Sequence, residues 1–303
     1  MSDSSASRAA AAGGIVLMTL AAGQFVMALD TTVMNTAIAT VADDLGTTVT
    51  GIQTAITMYT LVMASFMITG GKIGEILGRK KVFAIGCIIY ACGSLTTALA
   101  PNLTVLMIGW SGLEGLGAVL IMPAVVALVA SNFEKPDRPR AYGLVAAAGA
   151  IAAALGPLIG GFFTTYASWR WVFAGEVVIV IGILFLTRRM ADTPPEKNVK
   201  LDMVGTLLSA TGLGLLVFGI LRSGSWGFVQ PKPGAPEWLG LSPVIWLILA
   251  GGVALAAFIA WENRRIAEDK GALFDPTMLK HLDLRGGVVS FFFMFMVQAG
   301  LFF

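Results

Sequence analysis

Histidine occurs once in this 303-residue chain, as His281, and cysteine twice, as Cys87 and Cys92. A single histidine leaves no Ser/His/Asp set and argues against a metal centre. The two cysteines lie five positions apart on different faces of one apolar run. They cannot pair with each other and read as small apolar packing groups. Charge is equally scarce. Asp, Glu, Lys and Arg make up 13% of the residues, about half the share in a soluble globular domain. The net charge of +2 carries no nucleic-acid signal. No nucleotide-binding loop is present either, because the glycine-rich strings fall inside apolar runs and cannot cradle phosphates. These absences argue against an enzyme and against direct ATP coupling within the chain. No metal and no cofactor is expected.

What is present is apolar length. Hydrophobic residues make up 56% of the chain and the mean hydropathy is +0.82. Eight runs read as complete helices near 14–41, 52–73, 82–100, 103–132, 141–166, 171–189, 203–221 and 242–261. A ninth begins at Gly286. A spanning helix needs ~20 apolar residues, and these runs are too continuous for barrel strands. The chain therefore reads as an all-α integral membrane protein. Residues 1–13 read as a short disordered lead rather than a cleavable signal, because the first run is too long and eight more follow.

Charge placement orients the helices. With the N-terminus inside, Arg8, the Lys72–Lys81 cluster, Lys135, Arg138 and Arg140 fall inside. So do the basic residues from Arg188 to Lys200, Lys197 included, and those from Arg264 to Arg285. Only Arg170, Arg222 and Lys232 fall outside. This predicts a multi-pass plasma-membrane protein with a cytoplasmic N-terminus. Short loops make 14–189 one six-helix bundle. A linker at 190–202 with Pro194-Pro195 precedes two further helices over 203–261. A cytoplasmic connection at 262–285, with a turn at Phe274-Asp275-Pro276, leads into 286–303. Trp226, Trp238 and Trp246 suit an outer aromatic belt.

Four strings carry candidate chemistry. Between the second and third helices, Gly71-Lys72-Ile73-Gly74-Glu75-Ile76-Leu77-Gly78-Arg79-Lys80-Lys81 reads as a tight basic loop. Glu75 and Arg79 are spaced to pair on one turn; otherwise the loop serves only topology. The fifth helix carries Gly149, then Gly156-Pro157 and Gly160-Gly161. Small residues allow close helix approach and proline bends a helix, which fits a pivot between bundles or ordinary tight packing. In the first helix, Asp30 and Asn35 lie within Leu29–Asn35. An acid there faces a cavity or partner, or hydrogen-bonds local backbone. In the fourth helix Glu114 lies near the midplane, where burial disfavours the charged form and suits it to proton exchange. The alternative is a permanent hydrogen bond to a neighbouring helix. Glu176 in the sixth helix is a weaker candidate, with Arg170 as an equally good partner.

Together these strings resemble the major facilitator superfamily and, within it, the drug:proton antiporters with fourteen transmembrane segments. The Gly71–Lys81 string resembles the superfamily's signature loop, Gly156-Pro157 with Gly160-Gly161 its antiporter motif, and Leu29–Asn35 its first-helix motif. Trp169–Phe173 and Leu201–Gly205 match its fifth outside turn and seventh-helix opening. The resemblance implies a six-helix N-terminal bundle, two additional helices and the first helix of an incomplete C-terminal bundle. The missing second bundle makes the chain look like a fragment. It also implies proton-driven export of amphipathic or hydrophobic small molecules, with protons, substrate and lipid bilayer as partners and no nucleic acid. Asp30, Glu114, Asn35 and Glu176 would serve proton coupling or substrate. Gly71, Glu75, Gly78, Arg79 and Lys80 would form a gating latch. Ser111 stands where the family usually has Arg, and Glu114 where it has Gln, which moves the expected coupling role to Glu114. A dedicated exporter of one metabolite, lipid or siderophore, and a transport-inactive sensor or scaffold, are the alternatives.

Overall fold

The computed structural model describes residues 2–192, Pro195 and 200–302, with side chains at 13–192, Pro195, 200–294 and Met296. Pro194, Lys197 and the Arg8 side chain thus lie outside the described residues. The protein is all-helical, with an isolated two-residue bridge between Trp238 and Leu241 in one loop. We number the helices α1 (Ser2–Asp44), α2 (Val49–Leu77), α3 (Arg79–Ala98), α4 (Leu103–Asn132), α5 (Arg138–Tyr166), α6 (Arg170–Thr187), α7 (Met203–Trp226), α8 (Pro243–Ala267) and α9 (Leu282–Phe302). Eight of them, α1 to α8, are long and apolar enough to cross a bilayer. The ninth predicted span falls in α9, which starts at Leu282 rather than Gly286.

Local chemistry sets the helix ends. Thr48 and Asn102 accept hydrogen bonds from the backbone N–H groups of Gly51 and Val105, capping α2 and α4. Asp202 caps α7 through Val204, and Ser242 caps α8 ahead of Pro243 at its first turn. These caps satisfy amides that the helices leave unbonded. Two expectations are corrected here. The stretch 1–13, expected as a disordered lead, is helical from Ser2. The Gly71–Lys81 string is not a loop: α2 runs to Leu77 and α3 starts at Arg79, with Gly78 alone between them at φ 93°. That left-handed conformation suits glycine. The break also takes Arg79 off the helix that carries Glu75, and Glu75 pairs with Lys72 instead, at 2.7 Å.

Helices α1 to α6 pack as two interleaved triplets. α1 packs on α5 and α6, while α4 packs on α2 and α3, and α3 meets α6. Exchanging α1–α3 with α4–α6 maps α1–α5 onto α4–α2 and α1–α6 onto α4–α3, and α3–α6 onto itself. Glycines make the closest crossings possible. A Cβ at Gly117 of α4 would lie 2.8 Å from both the Cβ and the backbone N of Tyr90 on α3, and one at Gly86 would lie 2.9 Å from Leu120 and Ile121. In α5, Gly149, Gly156 and Gly160 face Gln24, Thr32 and Val33 of α1. The predicted glycine stripe therefore closes a contact inside the bundle, while Pro157 is exposed and Gly161 meets open space. The outer surface is apolar, with Ile88, Val126, Phe162 and Phe185 all exposed, as lipid contact requires.

α7 and α8 form an antiparallel pair that leans on α2. At one end, Asp202 accepts a hydrogen bond from Trp261 Nε1 at 2.7 Å and forms an ion pair with Arg265 at 3.2 Å. Glu262, buried beside it, accepts the backbone N–H groups of Leu273 and Phe274. The expected turn at Phe274–Pro276 is a short 3₁₀ helix, Pro276–Lys280, capped by Asp275. The cysteines are free. Cys87 is buried as expected, but Cys92 is exposed.

If the α3–α4 contact depends on bare backbone, Gly117→Val overpacks it and costs about 1–3 kcal/mol. A thermal melt in detergent should show a clear fall in midpoint. Gly143→Ala, which meets nothing within 4 Å, should melt like the parent.

Candidate functional site

Helix α4 is not α-helical throughout. Met107–Glu114 is π-helical, between α-helical turns at Leu103–Leu106 and Gly115–Asn132. Gly109 and Gly112 lie within the segment and Gly115 follows it directly. Such π segments inside α-helices are frequent at functional sites. This one displays Trp110, Ser111 and Glu114, all buried. Glu114 is its last residue, and its side chain lies over the bare backbone of α3. A Cβ at Gly93 would sit 2.6 Å from Glu114 Cγ.

Three carboxyl groups converge there. One oxygen each from Asp30 of α1, Glu114 of α4 and Glu176 of α6 lies within 4.8 Å of the other two. All three residues are at most 1% exposed. The Trp110 indole N–H donates to Asp30 Oδ1 at 2.7 Å, and the Trp110 ring stacks on Tyr59 with centroids 5.0 Å apart. The Thr97 hydroxyl lies 3.0 Å from Glu114 Oε1, and the Ser94 hydroxyl donates to Glu176 Oε2 at 3.3 Å. Each acid keeps one buried oxygen without a hydrogen-bond partner: Asp30 Oδ2, Glu114 Oε2 and Glu176 Oε1. The buried Tyr90 hydroxyl adjoins Asp30. Among the described residues, no Lys or Arg forms an ion pair with any of the three.

The structure therefore unites Asp30, Glu114 and Glu176 and leaves Asn35 out. Asn35 is exposed and donates to the carbonyl of Thr31 in its own helix. Arg170 is not the partner of Glu176. It pairs with Asp44 and reaches the Ala100 carbonyl at 2.8 Å, while Trp169 also donates to Asp44. Ser111 donates to the Ala55 carbonyl of α2 at 2.8 Å. It also borders an apolar cavity of about 490 Å³ between α2 and α4, lined by Met58, Val62, Met107, Ile108 and Leu116. At the other end of α3, Lys80 caps α6. Its ammonium donates to the carbonyls of Met190 at 2.6 Å and Arg188 at 3.3 Å, and its backbone N–H to Asp192.

Trp110, Tyr90, Gly93, Ser94 and Thr97 complete the site, and reading the sequence for chemistry passed over all of them. The α3 residues were visible as a pattern. Positions 90, 93, 94 and 97 fall at the i, i+3, i+4, i+7 spacing of one helical face, a polar and small stripe in an otherwise apolar span.

A Major Facilitator Superfamily model matches residues 20–303, and the chain belongs to that family. It is 32% identical over 289 residues to a puromycin resistance protein of Streptomyces alboniger, covering 94% of this chain and 53% of that protein. It is 33% identical over 245 residues to a cephamycin export protein of Amycolatopsis lactamdurans, covering 79% and 48%. The chain spans about half the length of the curated relatives it matches. Among solved structures, the POT family transporter PepTSo superposes with a TM-score of 0.57 at 13% identity, over 82% of this chain and 51% of that one. The human organic anion transporter MFSD10 superposes with a TM-score of 0.51 at 13% identity, over 75% and 58%. These likenesses show the fold.

Replacing Trp110 by Phe removes the donor to a buried acid and should cost about 1–3 kcal/mol. In a double-mutant cycle with Asp30→Asn, followed by thermal unfolding, the two changes should be non-additive by about 0.5 kcal/mol or more, as expected for side chains in contact.

Proposed function

We propose that this chain is the N-terminal part of a proton-coupled exporter of amphipathic or hydrophobic small molecules, built on the fourteen-segment plan. The observation that carries the reading is the buried trio of Asp30, Glu114 and Glu176, which has no basic ion-pair partner among the described residues. Carboxyl groups so placed are neutral only when protonated or when a cation joins them, because an isolated ionised carboxylate is costly in a low-dielectric interior. A group that must be neutral in one state and hydrated in another can carry a proton between the two sides. The apolar cavity against Ser111 suits a hydrophobic ligand, and the π segment joins it to the acids, since Ser111 and Glu114 belong to the same eight residues. Relatives named for antibiotic resistance and export point the same way.

In this reading the N-terminus is cytoplasmic, and a second bundle completes the pathway around a midplane site. Lys80 locks the cytoplasmic ends of α3 and α6 together. Gly78, Glu75 and Arg79 lie beside that lock and bias one state through contacts that the other state lacks. A dedicated exporter of a single antibiotic-like metabolite is the second reading, favoured because each of these two relatives is named for one compound. Substrate-stimulated proton flux across a compound panel separates the two: a broad response indicates multidrug export, a lone responder a dedicated exporter.

Glu114→Gln keeps the shape of the side chain and removes its exchangeable charge. In everted vesicles carrying the complete protein, it should abolish proton-driven efflux at normal expression and melting temperature. Unchanged efflux would remove Glu114 from the mechanism.

A further inference from the structure

We infer that the hairpin Trp238–Leu241, in the loop that joins α7 to α8, is a membrane wedge: it seats in the headgroup–acyl boundary of the adjoining leaflet and holds that end of the helix pair there. Trp238 and Leu241 exchange both backbone hydrogen bonds, at 2.9 and 3.1 Å. They close a two-residue turn over Leu239 and Gly240, whose φ angles are 55° and 81°. Positive φ at both central positions is the type I′ pattern, which selects Asn-Gly, Asp-Gly or Gly-Gly. A leucine at the first of them is strained, because its Cβ crowds the following carbonyl. The same leucine is 88% exposed, the most exposed large hydrophobic side chain among the described residues. Strain at a side chain that packs so little on its own chain points to a contact outside it.

The bilayer is the occupant that the surroundings fit. The hairpin does not project away from the helices. The Trp246 indole N–H donates to the Trp238 carbonyl at 3.1 Å. Trp246 is the fourth residue of α8, which places it about 4.5 Å along the axis from the first. The hairpin is thus folded back beside the first turn of α8. Ser242 fixes the base of the loop, donating its N–H to the Val229 carbonyl at 2.9 Å and its hydroxyl to the Gly227 carbonyl at 2.7 Å. At the same end of α7, the Arg222 guanidinium lies over the rings of Phe218 and Trp226, 5.4 and 5.5 Å from their centroids. Tryptophan concentrates at the membrane–water boundary, and arginine near a helix end reaches its charge toward it. The spans beneath are exposed and apolar at Ile220, Leu221, Leu249 and Val253, and Phe228, Trp238 and Leu239 continue that apolar surface beyond the helix ends. The charged residues between Phe228 and Leu241, Lys232 and Glu237, both lie outside the hairpin. An uncharged, partly aromatic tip at this depth has the composition of an interfacial anchor.

This inference requires a chain that spans a bilayer and does not rest on export or proton coupling. The test uses the complete protein in phosphatidylcholine nanodiscs, its other reactive cysteines replaced by serine, with a nitroxide spin label on Leu239→Cys. Collision with oxygen, which concentrates in lipid, is compared with collision with a nickel chelate, which stays in water. At 239 oxygen should dominate several-fold, whereas a label on Pro233→Cys, exposed on the same loop, should favour the chelate. Leu239→Asp suits the turn but sets a charge at its tip, and should at least halve oxygen contact at a label on Phe228→Cys. Equal access of the chelate to 239 and 233 would overturn the inference. Low collision with both reagents at 239 would overturn it too, by showing that protein covers the hairpin. So would undiminished oxygen contact at 228 in the Leu239→Asp variant.

Discussion

An ionised carboxyl group taken out of water loses several kcal/mol of solvation even after its surroundings relax. Here three carboxyl groups are brought together inside an apolar bundle, and among the described residues no Lys or Arg pairs with them there. Much of the surrounding structure answers that cost. Helix α3 turns its small and hydroxylated face toward the acids, supplying Ser94 and Thr97 as partners and Gly93 as clearance. The π-helical stretch of α4 places an indole donor and a carboxyl group four residues apart on the same inward face, at Trp110 and Glu114. Tyr59 backs the indole by stacking. The partners satisfy one oxygen of each acid and leave the other, so the trio is poised rather than neutralised.

Close approach of backbones is the second constraint. Hydrophobic surface drives little association between helices already in lipid, so packing and polar contacts hold the bundle. Gly86, Gly93, Gly109 and Gly117 form a run of bare contacts between α3 and α4, and Gly149, Gly156 and Gly160 do the same between α5 and α1. The first run lies against the acid site, while the second closes the opposite side of α1.

Much of this was legible in the sequence, for reasons particular to each element. The spans follow from hydropathy, because lipid permits only long uninterrupted helices. Asp30 and Glu114 announced themselves as acids in apolar runs. Their meeting with each other and with Glu176 did not, because it joins α1, α4 and α6 across as many as 146 positions of numbering, from Asp30 to Glu176. Glu176 was weighed against Arg170 only because the two are near in sequence; in the fold Arg170 turns outward to Asp44. The Gly71–Lys81 string read as a loop because glycine and charge usually mark one, whereas helices held by tertiary contacts absorb both and break at Gly78 alone. Asn35 belongs to the same short motif as Asp30 but points elsewhere, since five residues along a helix is well past one full turn.

The two ends of the bundle are tied differently but to the same effect. At one, Lys80 stitches the start of α3 to the end of α6. At the other, Arg170 and Trp169 knot the start of α6 to the end of α1 and to Ala100 after α3. A body pinned at both ends along the same two helices has little freedom to shear internally. In the proposed exporter it would tilt as one piece and carry its acids with it, at a fixed depth within itself. Opening the site to one side or the other would then follow from which outside surface the whole piece leans against.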